Sequence, residues 1–86
     1  MKMQVFSIRD AKSEVFHHPF FQNTSDEAIR SFQTAVNDPK TNFYKYPDDF
    51  DLYHIGEYDD HTGLMKSLKT PEHLKKAVHL VSKEKA

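Results

Sequence analysis

The chain has 86 residues, of which 37% are hydrophobic, and it contains 7 Phe, 4 Tyr and no Cys at a formal net charge of −1. This length predicts a single domain over residues 1–86, with residues 82–86 frayed. The absence of Cys excludes disulfides, thiolate metal sites and thiol nucleophiles, and a charge near zero argues against a general nucleic-acid binder.

Charge is distributed unevenly along the sequence. Residues 46–62 carry six acidic side chains and neither Lys nor Arg, whereas residues 63–86 carry six Lys and two Glu. This pattern is typical of two solvated faces, but it also allows the basic segment to face an anion or the acidic region of a neighbouring protomer. The first ten residues lack the apolar stretch of a signal peptide, and no segment has the length of a membrane span, so a soluble intracellular protein is expected.

The N-terminal region predicts two strands. Residues 3–9 are rich in β-branched and aromatic side chains, and both alternate sets contain apolar residues, which indicates an inner strand covered on two faces. A turn over residues 10–13 leads to a short second strand at residues 14–16. Pro19 lies just after that strand and helps to end it, because proline cannot donate to a ladder.

A helix follows in the sequence. Thr24 and Glu27 have the spacing of a capping box, and the apolar side chains after them recur with a period of 3.6 residues. The helix is expected to end near Asn37, because Pro39 restricts the residue before it. Residues 39–50 contain two prolines and several turn formers, which predicts a loop.

The C-terminal half predicts a hairpin and a second helix. A strand over residues 51–58 and a short strand over residues 64–66 flank a five-residue hairpin loop, in which Gly63 suits a positive φ. Thr70 then has the features of an N-cap, followed by Pro71 at the first helical position. The predicted fold class is α+β, with a small antiparallel sheet of three to four strands packed against one long helix and a second C-terminal helix.

Catalytic and metal chemistry find little support in the residue pattern. The chain has six His, but His17 and His18 would point to opposite faces of a strand, and His73 and His79 would point apart on a helix. With only two Gly there is no phosphate-binding loop either. We therefore expect no enzyme, no metal and no cofactor.

Binding through aromatic and basic side chains is a better match. Proteins that bind single-stranded nucleic acids combine aromatic platforms for base stacking with cations that follow the phosphates. Most of the Phe residues also suit a core. The assignment of a DNA-binding surface is therefore a hypothesis, which rests on the interleaving of aromatic and basic residues in the sequence. The candidate cations are Arg9, Arg30, Lys40, Lys45, Lys75 and Lys76, and the candidate stacking residues are Phe21, Tyr44 and Tyr46.

Six sequence segments, in this order, carry a resemblance to a known family. They are FSIRD (6–10), HPFF (18–21), EAIRSF (27–32), VNDP (36–39), YPDDFDLYHIGEYDDHTG (46–63) and TP (70–71). With these segments the chain resembles the small nonstructural protein of gokushoviruses, the tailless single-stranded DNA bacteriophages of the microvirus group. The resemblance implies a DNA-binding protein of the host cell cytoplasm, absent from the mature virion, which acts at the switch from double-stranded replication to single-stranded genome synthesis. It brings no active-site residues.

Two functions are compatible with these observations. The first is a module that binds viral DNA, with single strands as the expected form. The second is an adaptor that binds a replication initiator or a capsid protein and makes little direct contact with DNA. A homodimer or higher oligomer is expected for either function, because a small core and polarised charge both favour association.

Overall fold

The computed structural model of the chain describes residues 1–82, which are dominated by one antiparallel sheet of five strands. None of the described helices combines the length and the hydropathy needed to cross a bilayer. The strands are β1 (Lys2–Asp10), β2 (Val15–Phe16), β3 (Phe20–Gln22), β4 (Phe50–Asp59) and β5 (Leu64–Lys76). The helices are α1 (Ser25–Val36) and the one-turn α2 (Asn42–Lys45), and two 3-10 turns lie at Pro47–Asp49 and Ala77–Leu80.

Strand β1 is the centre of the sheet. It pairs with β2 and β3 along one side and with β4 along the other, and β4 in turn pairs with β5, which forms an edge. The predictions of an inner strand at residues 3–9 and of a short strand at residues 14–16 are confirmed. Strand β3 was not predicted, because only three residues after Pro19 join the ladder.

Two irregularities interrupt the β4–β5 ladder. The first skips Leu74, between Leu52↔Lys75 and Tyr53↔His73. At the second the register passes from His54↔Glu72 to Gly56↔Ser67, so that Ile55 alone lies opposite residues 68–71. This extrusion contains a proline, which is tolerated there because no ladder hydrogen bond is required. Ile55 is also skipped in the β1–β4 ladder, which makes it an unpaired extra residue of β4.

Helix α1 begins as its sequence predicts. The backbone N–H of Glu27 donates to Thr24 Oγ1 at 3.2 Å, which caps the first turn. Ala28, Phe32 and Val36 follow at intervals of four residues and are fully buried. They form the core together with residues from the sheet and from the C-terminal turn: Phe6, Phe50, Leu52, Ala77 and Leu80.

The side chain of Asn37 joins the end of α1 to the C-terminal turn. Its Nδ2 donates to the carbonyl oxygen of Leu80 at 3.0 Å, and its Oδ1 accepts from the backbone N–H of Ser82 at 2.7 Å. The C-terminal segment is thus held on the same side of the sheet as α1. Fraying was predicted for residues 82–86, and residues 83–86 lie outside the described residues.

The predicted fold class is wrong. The described part of the chain is a five-stranded sheet with one helix of only three turns, rather than a smaller sheet packed against one long helix. The predicted C-terminal helix is absent from residues 70–82: Thr70 and Pro71 lie within β5, which continues to Lys76 before the 3-10 turn. The reason is the ladder with β4, which supplies tertiary pairing that outweighs a local helix signal.

Two smaller predictions in the second half have mixed outcomes. The hairpin turn between β4 and β5 is confirmed, with Gly63 at φ 75, but residues 60–63 form the loop and β5 extends well beyond the short strand predicted at residues 64–66. The loop predicted over residues 39–50 contains α2 and a 3-10 turn, in which Phe43 packs against the core. Phe43 therefore lies on the same side of the sheet as α1.

The first prediction concerns the core. Phe32 is 1% exposed and makes an edge contact with Phe43, so Phe32→Ala removes a large side chain from a small core. We expect the free energy of unfolding to fall by about 3–5 kcal/mol. Urea titration followed by circular dichroism measures this change. The neighbouring exposed Gln33 provides the control, since Gln33→Ala should shift the free energy of unfolding by less than about 0.5 kcal/mol. Equal effects of the two variants would contradict the burial of Phe32.

Candidate nucleic-acid interface

The two faces of the sheet are covered differently. Phe6, Ile8 and Leu52 point toward α1 and belong to the core or pack against it. Because side chains alternate along a strand, Val5, Ser7 and Arg9 point to the opposite face. Within residues 1–82, neither helix nor 3-10 turn contributes to that opposite face, which we call the uncovered face.

A first group of rings crosses the uncovered face at β2, β4 and β5. Tyr53 makes edge contacts with Phe16 on one side and His73 on the other, with ring centroids 5.3 Å apart in both pairs. His73 Nε2 lies 3.1 Å from Asp51 Oδ1, which fixes the imidazole beside Tyr53. We call Phe16, Tyr53 and His73 the first ring cluster.

A second group lies farther along the same face. Phe21 of β3 contacts Tyr58 of β4 at a centroid distance of 5.7 Å, and Met65 of β5 is the register partner of Tyr58. Phe21 and Met65 remain 40% and 56% exposed. Val5 pairs with Phe21 and is buried on this face, beneath side chains that themselves stay accessible. We call Phe21 and Tyr58 the second ring cluster.

The extra residue in β4 is what brings both clusters to one face. Tyr53 and Tyr58 are five positions apart, so in a regular strand they would point to opposite faces. The unpaired Ile55 between them restores a common direction. The partners of the two clusters on β1 are Arg9 and Val5, four residues apart, which separates the clusters by about 13 Å along the strand.

Gly56 lies between the two clusters. It is paired with Val5 on one side and Ser67 on the other, and it is buried. A Cβ at this position would lie only 2.8 Å from the carbonyl oxygen of Lys66. Glycine therefore allows β4 and β5 to approach closely here, and it leaves the strip between the clusters without a side chain.

The uncovered face also carries cations. Arg9 is half-buried on β1 and lies in one register row with Phe16, Asp51 and Lys76. This row runs beside the first ring cluster, so a stacked base there would have its phosphate within reach of positive charge. The single carboxylate in the row, Asp51, is held by His73.

The structure brings only some of the sequence-predicted residues together. Arg9, Phe21 and Lys76 lie on the uncovered face. Lys75 lies at the end of β5, in a strand rather than in the predicted helix, and as the register partner of Leu52 it points to the side of α1. Arg30 is exposed on α1, on the other side of the sheet. The remaining candidates lie in the connection between α1 and β4, also away from the uncovered face: Lys40, Tyr44, Lys45 and Tyr46.

The sequence reasoning missed four residues of this face. Phe16, Tyr53, Tyr58 and His73 are not among the candidates, although three of them are aromatic strand residues. The available signal was Gly56, since a glycine within a strand often marks a bulge and hence a change in the side-chain phase.

The carboxylate of Asp10 is held in the turn that follows β1. Burial acts to raise the pKa of Asp10, but hydrogen bonds from the backbone of Lys12 and from Ser13 outweigh it and hold the pKa below its ordinary value. The Lys12 N–H donates at 2.9 Å, so the Asp10 carboxylate closes the β1–β2 turn. Across residues 1–82, the His, Asp and Glu side chains form no group of three that could hold a metal ion.

The second prediction concerns the close approach at Gly56. Gly56→Ala places a methyl group against the backbone of Lys66, so β5 must shift and the free energy of unfolding should fall by about 1–3 kcal/mol. The register partner supplies the control, because Ser67→Ala on the exposed edge strand should change it by less than about 0.5 kcal/mol. Thermal unfolding of both variants measures the difference. A Gly56→Ala protein as stable as the parent would show that the two strands are not packed this tightly.

Comparison with known proteins gives one significant result. A family model described as "Phage ORF5 protein" matches residues 3–80, which is most of the chain. Neither a curated protein nor a solved structure gives a significant match.

Proposed function

The chain belongs to the phage ORF5 protein family, and we propose that it binds single-stranded DNA on the uncovered face of its sheet without acting as an enzyme. The observation that carries this proposal is the pair of ring clusters, which lie on one face about 13 Å apart. Two stacking positions at this separation suit a flexible single strand, whose bases can turn toward the protein. The bases of a duplex are already stacked on one another and cannot do so.

Partial exposure of the rings supports base stacking. Phe16 and Phe21 are 43% and 40% exposed, while Tyr53 and Tyr58 are half-buried and held by edge contacts. A ring that is fixed in this way loses little conformational entropy when a base stacks on it. Each base stacked on an aromatic side chain contributes about 1–3 kcal/mol.

The overall charge limits the electrostatic share of the affinity. At a net charge of −1 the chain has no general attraction for phosphates, so cations must act locally. Arg9 and Lys76 supply such local charge in the row beside the first ring cluster. Stacking is therefore expected to dominate the affinity.

The resemblance to gokushovirus nonstructural proteins suggests where such binding would matter. We place the protein in the cytoplasm of the host cell, outside the mature virion, with newly made viral single strands as its ligand. Covering these strands would prevent their conversion back to duplex, which is the switch toward single-stranded genome synthesis.

An adaptor function is the second candidate, and a specific feature favours it. The β4–β5 hairpin exposes Leu64 and Met65 at 68% and 56% near its turn, one on each face, so a partner that enclosed this end would bury both side chains. A replication initiator or capsid protein bound there would remain bound after nuclease treatment. A complex held together by DNA would dissociate.

The third prediction tests the stacking surface. Fluorescence anisotropy of labelled oligonucleotides should show tighter binding of single-stranded than of double-stranded DNA. Replacing Tyr53 or Tyr58 by Leu keeps apolar bulk but removes the stacking ring, so each variant should bind single strands about 5- to 150-fold more weakly. The comparison variant is Tyr46→Ala, which removes an exposed ring from the other side of the sheet and should bind like the parent.

The outcomes separate the candidate sites and functions. Loss of affinity in Tyr46→Ala with none in the two Leu variants would move the site to the connection between α1 and β4. No binding of either DNA form at low salt would reject the DNA-binding proposal in favour of the adaptor. Circular dichroism of each variant verifies that a loss does not reflect unfolding.

A further inference from the structure

Positive charge is concentrated on the edge strand of the sheet. Strand β5 carries Lys66, Lys69, Lys75 and Lys76 against Glu72 alone, for a net charge of +3. The rest of the sequence has eight basic and twelve acidic side chains, for a net charge of −4. A polyanion would therefore be attracted to β5 and repelled by most of the remaining surface.

The lysines of β5 have no ion-pair partner within residues 1–82. Two of them lie directly opposite a carboxylate, with Lys66 in register with Glu57 and Lys76 in register with Asp51. Those carboxylates lie closer to other groups: Glu57 Oε1 is 3.6 Å from Lys2 Nζ, and Asp51 Oδ1 is 3.1 Å from His73 Nε2. The ammonium groups of β5 are left available for an external anion.

The one acidic residue of β5 is also engaged elsewhere. Glu72 Oε1 lies 3.5 Å from Nδ1 of His54, whose Nε2 faces Gln4 and the carbonyl of Gly56. The carboxylate of Glu72 thus lies beside the imidazole of its register partner on β4. The edge itself therefore presents lysines.

Lysines on an edge strand also prevent pairing with another sheet, and this role has to be distinguished from ligand binding. The extrusion at residues 68–71 already interrupts the β5 edge. Steric and polar protection of an edge survives the replacement of Lys by Gln, whereas attraction of phosphates does not. Neutral substitutions thus separate the two roles.

We infer that the β5 edge carries the phosphate backbone of the bound single strand, with the bases turned inward over the two ring clusters. This inference rests on the proposed function and assigns Lys66 and Lys69 to the interface, which the sequence did not suggest. Tyr53 and Tyr58 lie on β4, one strand spacing of about 4.8 Å from β5, and Lys76 shares their face. Lys66 and Lys75 are in register with Glu57 and Leu52 and lie on the α1 side of the edge, so a backbone that runs along the edge is contacted from both sides. His73 and Met65 connect β5 itself to the two clusters.

The fourth prediction is the salt dependence of binding. Four lysines that neutralise four phosphates give a slope of about −2.8 in a plot of log K against log salt for single strands. These lysines alone should make the parent lose about 50-fold in affinity for a single-stranded oligothymidine between 50 and 200 mM salt. In the variant K66Q/K69Q/K75Q/K76Q this part of the slope should disappear and leave only the contribution of Arg9, and the two pairs K66Q/K69Q and K75Q/K76Q should each remove about half of the lysine contribution.

Two comparison variants complete the experiment. Lys12→Gln changes an exposed lysine in the β1–β2 turn and should keep the parent slope. The triple variant R30Q/K40Q/K45Q removes nearly as much charge as the quadruple variant, but from the other side of the sheet, and it should also keep the slope. Circular dichroism verifies that each variant is folded.

Each result decides the inference. A parent that binds single strands while the quadruple variant keeps the full slope overturns the β5 assignment and leaves the proposed function standing. Loss of the slope in the triple variant instead would place the phosphates along α1 and its following connection. A parent that binds no DNA at low salt overturns the inference together with the proposed function.

Discussion

The unpaired Ile55 in the middle of β4 determines what each face of the sheet presents. Before it, Leu52 and His54 point toward α1; after it the phase changes, so that Gly56 and Tyr58 share a face with Tyr53. His54 stabilises this irregularity, because its Nε2 lies 3.0 Å from the carbonyl oxygen of Gly56 and can donate to it. If Ile55 continued the regular alternation of β4, Tyr58 would lie on the opposite face from Tyr53, and the second ring cluster would not form.

The same rings stabilise the fold and form the candidate interface. A chain of this length buries only a small core, and the strand centre at Val5, Phe6 and Ser7 is buried on both faces although only one face has a helix. On the uncovered face this burial comes from flanking side chains such as Phe21. Half-exposed rings at these positions cover part of the strand backbone, and their exposed ring faces remain accessible to a ligand.

How much of the fold the sequence predicts depends on whether the signals are local. The cap at Thr24, the inner position of β1 and the glycine of the hairpin turn follow from short-range chemistry, and the structure confirms them. The prediction of a C-terminal helix was wrong because the deciding interaction is long-range. Thr70 and Pro71 satisfy the local rules for a helix start, but β4 provides a ladder partner as far as Lys76, and the sequence contains no local sign of that pairing.

The candidate site shows the same division. Arg9, Phe21 and Lys76 could be selected by residue type, and they do lie on one face. Tyr53 and Tyr58 could not be placed together, because simple alternation assigns them to opposite faces and only the tertiary register reveals the extra residue. Residue type alone also selected Lys40 and Tyr46. Both lie in the connection between α1 and β4, which folds onto the other side of the sheet.

Folding places the acidic and the basic segments of the sequence side by side. The acidic middle of the sequence contains β4, the basic segment contains β5, and these are adjacent strands of one hairpin. Opposite charges facing each other across strands would ordinarily pair and cancel. Here Asp51 and Glu72 lie beside histidines and Glu57 lies beside Lys2, so these carboxylates form no ion pair with the lysines of β5. A chain with a net charge of −1 can in this way keep a positive edge, because local potential depends on which groups remain unpaired rather than on the total.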